Sequence, residues 1–145
     1  GGKQSNIILN NNNLYFQNLN YKTYDNENDN SLVTYLKLFK YSFLFMGDAS
    51  QKVELDLIKK YKLDVDLIKL GHHGSKTSSN IDFLDNINPE IAIISSGRNN
   101  RYNHPAKETL NILNNLKIKS YNTQNLGTIC FKIKHQQIKI ITNPP

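Results

Sequence analysis

The sequence predicts a layered α/β protein of one domain. The first third is written in short apolar runs separated by asparagine-rich turns. From Ser50 onward, apolar strand-like runs alternate with amphipathic helical segments. The polar residues with chemistry to offer gather just past the ends of those runs. At 145 residues the chain is long enough for one real core and too short for two comfortable ones.

Each element follows from a local signal. "NIIL", from Asn6 to Leu9, stops at the asparagine run Asn10 to Asn13 and resumes as "LYFQNL" from Leu14, a hairpin pattern with asparagine as turn residue. "YDNENDN" reads as a polar loop. "SLVTYLKLF", Ser31 to Phe39, is rich in β-branched and aromatic residues, and a turn at Lys40 and Tyr41 leads into "SFLFM", a strand ending at Gly47-Asp48. In "SQKVELDLIKKY", Val53, Leu57 and Ile58 fall at helical spacing, with Ser50 as N-cap. "DVDLIKL", Asp64 to Leu70, is a short buried strand, "SSNIDFLDNI" a short helix and "PEIAIISS" the next strand. "HPAKETLNILNNL" is an amphipathic helix with Pro105 near its first turn, where a missing N–H costs little. "KIKSY" and "GTICFKIK" are strands, and "QQIKIIT" closes a terminal hairpin with Gln136 in its turn. The helices are expected on the sheet faces.

The formal charge of +6 permits a polyanionic partner. The lysines are dispersed, so charge alone favours plain solvated lysines. Cys130 is the single cysteine, which excludes an internal disulfide and a cysteine-based metal site. Its place in an alternating apolar segment predicts a small buried hydrophobe. No apolar run approaches the roughly 20 residues that span a bilayer. The opening "GGKQSN" reads as that of a fragment or excised domain. A G-x-S-x-G elbow and a phosphate-binding G-x-x-x-x-G-K-[ST] loop are both absent, which argues against a serine hydrolase and a P-loop nucleotidase.

Three strand ends carry the polar residues of interest. Asp48 follows "SFLFM", His72 and His73 follow "DLIKL", and Asn99 to His104 follow "IAIISS". In open α/β sheets that edge is where ligands bind. A set of carboxylate and imidazoles without cysteine suits Zn or Mn. Gly71 and Gly74 let the backbone bend so that a histidine turns back toward the strand end. Structural roles compete for each residue: a solvent-facing pair for His72 and His73, an N-cap for Asp48, the start of a helix for His104, and turn chemistry for Ser75 and Thr77.

An ordered string of segments resembles a known family. "NDNSLV", "FLFMGDAS", "LIKLGHHGSKTSS", "NPEIAIISSGRNNRYNHPAKETLNIL" and "YNTQNLGTICFKI" follow one another from about Asn28 to Ile133. They resemble the second half of the carboxyl-terminal metallo-β-lactamase-fold domain of the ComEC competence proteins, which form the DNA-uptake channel of transformable bacteria. The resemblance implies a partial αββα sandwich over residues 1–145 whose amino-terminal half is missing. It implies that Asp48 is a bridging carboxylate and that His73 first, His72 second, is a metal ligand. His104 would lie near the scissile phosphate or leaving group, making Asp48, His73 and His104 the catalytic set. Ser75, Lys76, Thr77, Asn103 and His104 would line the phosphate and substrate side.

The implied activity is hydrolysis of phosphodiester bonds in the DNA strand that is not imported, single-stranded DNA being the partner. The implied cofactor is a divalent metal, Zn or Mn, two ions in the intact domain. The parent would sit in the cell membrane, with this domain on the extracytoplasmic side beside its transmembrane channel. Two rivals are another hydrolase of the fold, acting on phosphorylcholine-type or small phosphodiesters, and a non-catalytic DNA-gripping or structural remnant. The family's H-x-H-x-D-H cluster has no counterpart here, the remaining histidine being His135, so the chain alone is expected to be an incomplete enzyme. Asn125 stands where an acidic residue is expected.

Overall fold

The computed structural model describes residues 7–135 and 137–144. Asn6 and Gln136, assigned above to a strand start and a turn, lie outside them. Strands β1 (Ile7–Asn10), β2 (Leu14–Asn18), β3 (Thr34–Leu38) and β4 (Tyr41–Phe45) form an antiparallel meander. Three parallel strands then extend the same sheet: β5 (Leu67–Lys69), β6 (Ile91–Ile94) and β7 (Lys119–Asn122). The seven strands lie in sequence order. Helices α1 (Gln51–Lys60), α2 (Ile81–Ile87) and α3 (Lys107–Asn115) make the crossovers. A one-turn helix α4 (Thr123–Leu126) leads into the hairpin of β8 (Thr128–Lys134) and β9 (Gln137–Asn143).

All three crossover helices pack on one face, not on both. Parallel crossovers are right-handed, and strands added in one direction put every helix on the same side. The main core lies there: Leu44, Ile68, Ala92 and Ile94 from the sheet meet Val53 and Leu57 of α1, Phe83, Leu84 and Ile87 of α2, and Leu113 of α3. The opposite face has a second core. Phe43, Leu67 and Ile93, flanked by Leu36 and Leu38, pack against Ile129, Phe131, Ile133 and Ile138 of the β8–β9 hairpin. The architecture is therefore helix layer, mixed sheet, two-stranded ribbon. The stretches "LVTYLKLF", "SFLFM" and "DLIKL" are not left bare: the hairpin covers their inner side.

The ribbon corrects the reading of Cys130. With period-2 alternation, Ile129, Phe131 and Ile133 turn to the sheet, so Cys130 faces outward and is exposed. Pro105 also lies outside its helix, because Ala106 is the N-cap of α3. Ser50 caps α1 as the spacing predicts, its side chain accepting from the Lys52 N–H.

Candidate functional site

Because β4, β5, β6 and β7 are parallel, their carboxyl ends share one edge. At the first, Gly47 (φ +59°) reverses the chain. A Cβ there would lie 2.7 Å from Ser31 Cβ. The Asp48 N–H donates to Ser31 Oγ (3.0 Å) and the Ser50 N–H to Asp29 Oδ1 (2.9 Å). Asp29 is buried, and the Asn20 side-chain amide holds this frame by donating to the Asp29 and Ser31 carbonyls, both at 2.9 Å. Ser50 does the capping, so the half-exposed Asp48 carboxylate is left for other work.

The second strand end answers it. Gly71–Gly74 form a 3-10 turn in which His72 (φ +45°) and His73 (φ +57°) themselves take the left-handed region. For non-glycine residues that region is strained, by roughly 1–3 kcal/mol each, and such residues concentrate at functional sites. The turn is held by the His72 N–H donating to the Gly47 carbonyl (3.0 Å). Gly71 permits the approach, since a Cβ there would lie 2.6 Å from the Ala49 carbonyl oxygen. His73 Nδ1 donates to the Ser95 carbonyl (2.6 Å), while Nε2 faces Asp48 Oδ1 at 4.0 Å. With Nδ1 carrying the proton, the neutral ring presents a lone pair at Nε2. Two acceptors then face one another, an arrangement that attracts a cation or a shared proton. A carbonyl on the far ring nitrogen is also the usual support of a ligating histidine.

The third strand end brings His104. Asn100 clamps its backbone, accepting from the His104 N–H (2.8 Å) and donating to the His104 carbonyl (2.7 Å). The Ala106 N–H donates to the Gly74 carbonyl (2.9 Å), tying this loop to the histidine turn. The His104 ring centroid lies 5.8 Å from that of His72, which is 6.3 Å from that of His73. Tyr102 stacks on His104 at 5.9 Å. Burial, with His72 and His73 adding to it, lowers the His104 pKa below the usual imidazole value. Its Nδ1 is buried and without a hydrogen-bond partner among the described residues.

Asp48, His72, His73 and His104 thus share one edge. Ser75 is buried, and its hydroxyl lies 3.1 Å from that of Thr77, whose Oγ1 is 3.4 Å from His72 Nδ1. Lys76 and Asn103 line a hollow beside His104 together with Lys107. The supports Asn20, Asp29 and Ser31 escaped the sequence reading, although "NDNS" lies inside the family-like string, and Asn100 fell within the Asn99 to His104 run without a role of its own. Lys69 escaped it too: burial pushes its ammonium pKa down, and Asp48 acts against that shift. Glu54 of α1 is a further hidden support, accepting from the Ser79 (2.8 Å) and Asn80 (2.7 Å) N–H groups beyond the histidine turn.

Asp48 and His73 offer two donors of the right type for a divalent metal, facing each other. Among the described residues, however, no three His, Cys, Asp or Glu side chains are grouped closely enough to hold an ion. A complete metal centre does not fit these residues alone.

The chain matches no family model. It is 33% identical over 120 residues to ComE operon protein 3 of Bacillus subtilis, an alignment covering 82% of this chain and 16% of that protein. It is 37% identical over 100 residues to competence protein ComA of Neisseria gonorrhoeae, covering 68% of this chain and 14% of that one. Recombination protein 2 of Haemophilus influenzae is 32% identical over 114 residues, covering 79% of this chain and 14% of the relative. The chain therefore spans about one sixth or less of the length of these relatives.

Proposed function

The chain belongs to the ComEC family of competence proteins, and from that premise we propose that it is the phosphate-handling half of a DNA-cleaving domain. In this reading the sheet and ribbon are part of a metallo-β-lactamase-like αββα sandwich. The parent is a membrane protein of DNA uptake, with this domain outside the cytoplasm, acting on the strand that is not imported. No helix among the described residues is long and apolar enough to cross a membrane.

The observation that carries the reading is the facing pair of His73 Nε2 and Asp48 Oδ1, 4.0 Å apart at the carboxyl edge. We assign these two residues, with His72 beside them, as part of the ligand set for Zn or Mn, the remaining ligands coming from outside the described residues. Such ions, when bound, activate water and neutralise phosphate charge. The residues of this chain do the rest. Ser95 fixes the His73 tautomer. The lowered pKa of His104 keeps its ring neutral near pH 7, ready to accept a proton or to donate a hydrogen bond to a phosphate oxygen. Lys76 and Lys107 line a hollow on the adjoining side, where phosphate oxygens are held without reading sequence.

The test is cleavage of a labelled single-stranded oligonucleotide by the complete domain, meaning this chain with the preceding part of its parent, in Mn or Zn. Asp48→Asn and His73→Gln should each abolish cleavage, and the chain by itself should show little. Full activity in both variants would overturn the assignment.

A further inference from the structure

His104 stands between two hollows of different chemistry. The one on the Lys76 and Lys107 side measures about 580 Å³ and is lined by those two lysines and by Glu108. The other, about 600 Å³, lies between the β6 end, α3 and α4, and no Asp, Glu, Lys or Arg among the described residues lines it. Its polar lining is instead rich in carboxamides. Asn100 and Asn122 are engaged in holding the loops: Asn100 clamps His104, and Asn122 accepts from Ser96 Oγ (2.8 Å) and from the Gln124 N–H (2.9 Å). Asn99, Asn103 and Asn125 are different. Each lines the hollow and none makes a side-chain hydrogen bond among the described residues. Ile94, Leu110 and Leu126 supply the apolar part of the wall.

This composition selects its ligand. A phosphate would find no cation there among the described residues, and a hydrocarbon would cover three exposed amides without pairing them. A planar group that is apolar on its faces and edged with both donors and acceptors satisfies every part of the wall. Carboxamides pair with nucleobase edges in that way, offering one acceptor and two donors each. The size is also that of ordinary small-molecule sites.

We propose that the hollow bounded by Asn99, Asn103 and Asn125 is a nucleobase site, holding the base of a nucleotide whose phosphate lies across His104 on the Lys76 and Lys107 side. This inference rests on the DNA-processing reading for its context but not for its test. Asn103 and His104 border both hollows, so one nucleotide can reach from one to the other.

The chain, labelled with 15N, is titrated with 2′-deoxyadenosine, with deoxyribose 5-phosphate and with glucose, and the backbone and side-chain amide resonances are followed. The nucleoside should move the amides of Asn99, Asn103 and Asn125. The sugar phosphate should instead perturb the Lys76 and Lys107 region, and glucose neither. Asn125→Leu combined with Asn99→Gly, which retains the positive φ of that turn, should weaken nucleoside binding roughly tenfold, the equivalent of about one hydrogen bond. Asn99 and Asn125 amides unmoved by deoxyadenosine, or moved equally by glucose or the sugar phosphate, would overturn the proposal; Asn103, which borders both hollows, responds to either ligand and decides nothing. The nucleoside has no phosphodiester to cleave. A complete domain that cleaves nothing while its amides respond sinks hydrolysis and leaves the base site standing; the converse result does the opposite.

Discussion

Glu54→Gln is the most informative single change away from the metal-like residues. Glu54 is 1% exposed and one of the largest fully buried side chains. Burial raises its carboxyl pKa from 4.5 to about 7, against the opposing pull of the N–H bonds from Asn80 and Ser79. In the unfolded chain the carboxyl ionises near 4.5, so between that pH and about 7 the folded state holds the extra proton. Stability from this group is therefore fully present below the unfolded value and is lost as pH rises through the folded value. At about 1.4 kcal/mol per tenfold step, the interval corresponds to a loss on the order of 3 kcal/mol. Glutamine has no such titration. One of the two backbone donors would meet its NH2, costing roughly 1–3 kcal/mol at every pH. Urea unfolding followed by circular dichroism from pH 5 to 8 gives both curves. The wild-type advantage over the variant should be largest at pH 5 and shrink, or reverse, by pH 8. Parallel curves across that range would refute the claim that Glu54 is buried and titrates near neutrality.

Three shorter predictions come from the packing. Gly71→Ala would drive a Cβ into the Ala49 carbonyl 2.6 Å away, and because backbone must move, urea melts should show a loss of about 1–3 kcal/mol. Leu44→Ala removes a side chain with no exposed surface from the main core and should lower the unfolding free energy by roughly 2–5 kcal/mol; a change below 0.5 kcal/mol would contradict its burial. The outward-facing Cys130 should react with a thiol reagent in the native protein at nearly the rate seen in denaturant. Protection there would mean that the β8–β9 ribbon is turned over.

Much was legible in the sequence because it depends on local spacing. The alternation of Ile129, Phe131 and Ile133 marks a strand, the Val53, Leu57 and Ile58 spacing marks α1, and Ser50 marks its cap. The convergence of Asp48, the histidine pair and His104 on one edge was also readable, because strands in parallel βαβ order must end on the same side. Periodicity is silent about the choice between the two faces of an element. It marked β8 as half-buried but not which neighbour covers it, so the alternation alone put Cys130 inside. The supports of the site were invisible for a related reason. Asn20, Asp29 and Ser31 hold Asp48 through bonds that span up to 21 residues, and Glu54 reaches Ser79 across 25. No local pattern encodes such distances. Residue types set by local rules, such as strands, caps and glycine turns, could be read from the chain itself. The charge state of Glu54, the tautomer of His73 and the amide hollow beside His104 arise only when segments far apart in sequence exclude water from one another, and the tertiary structure alone decided them.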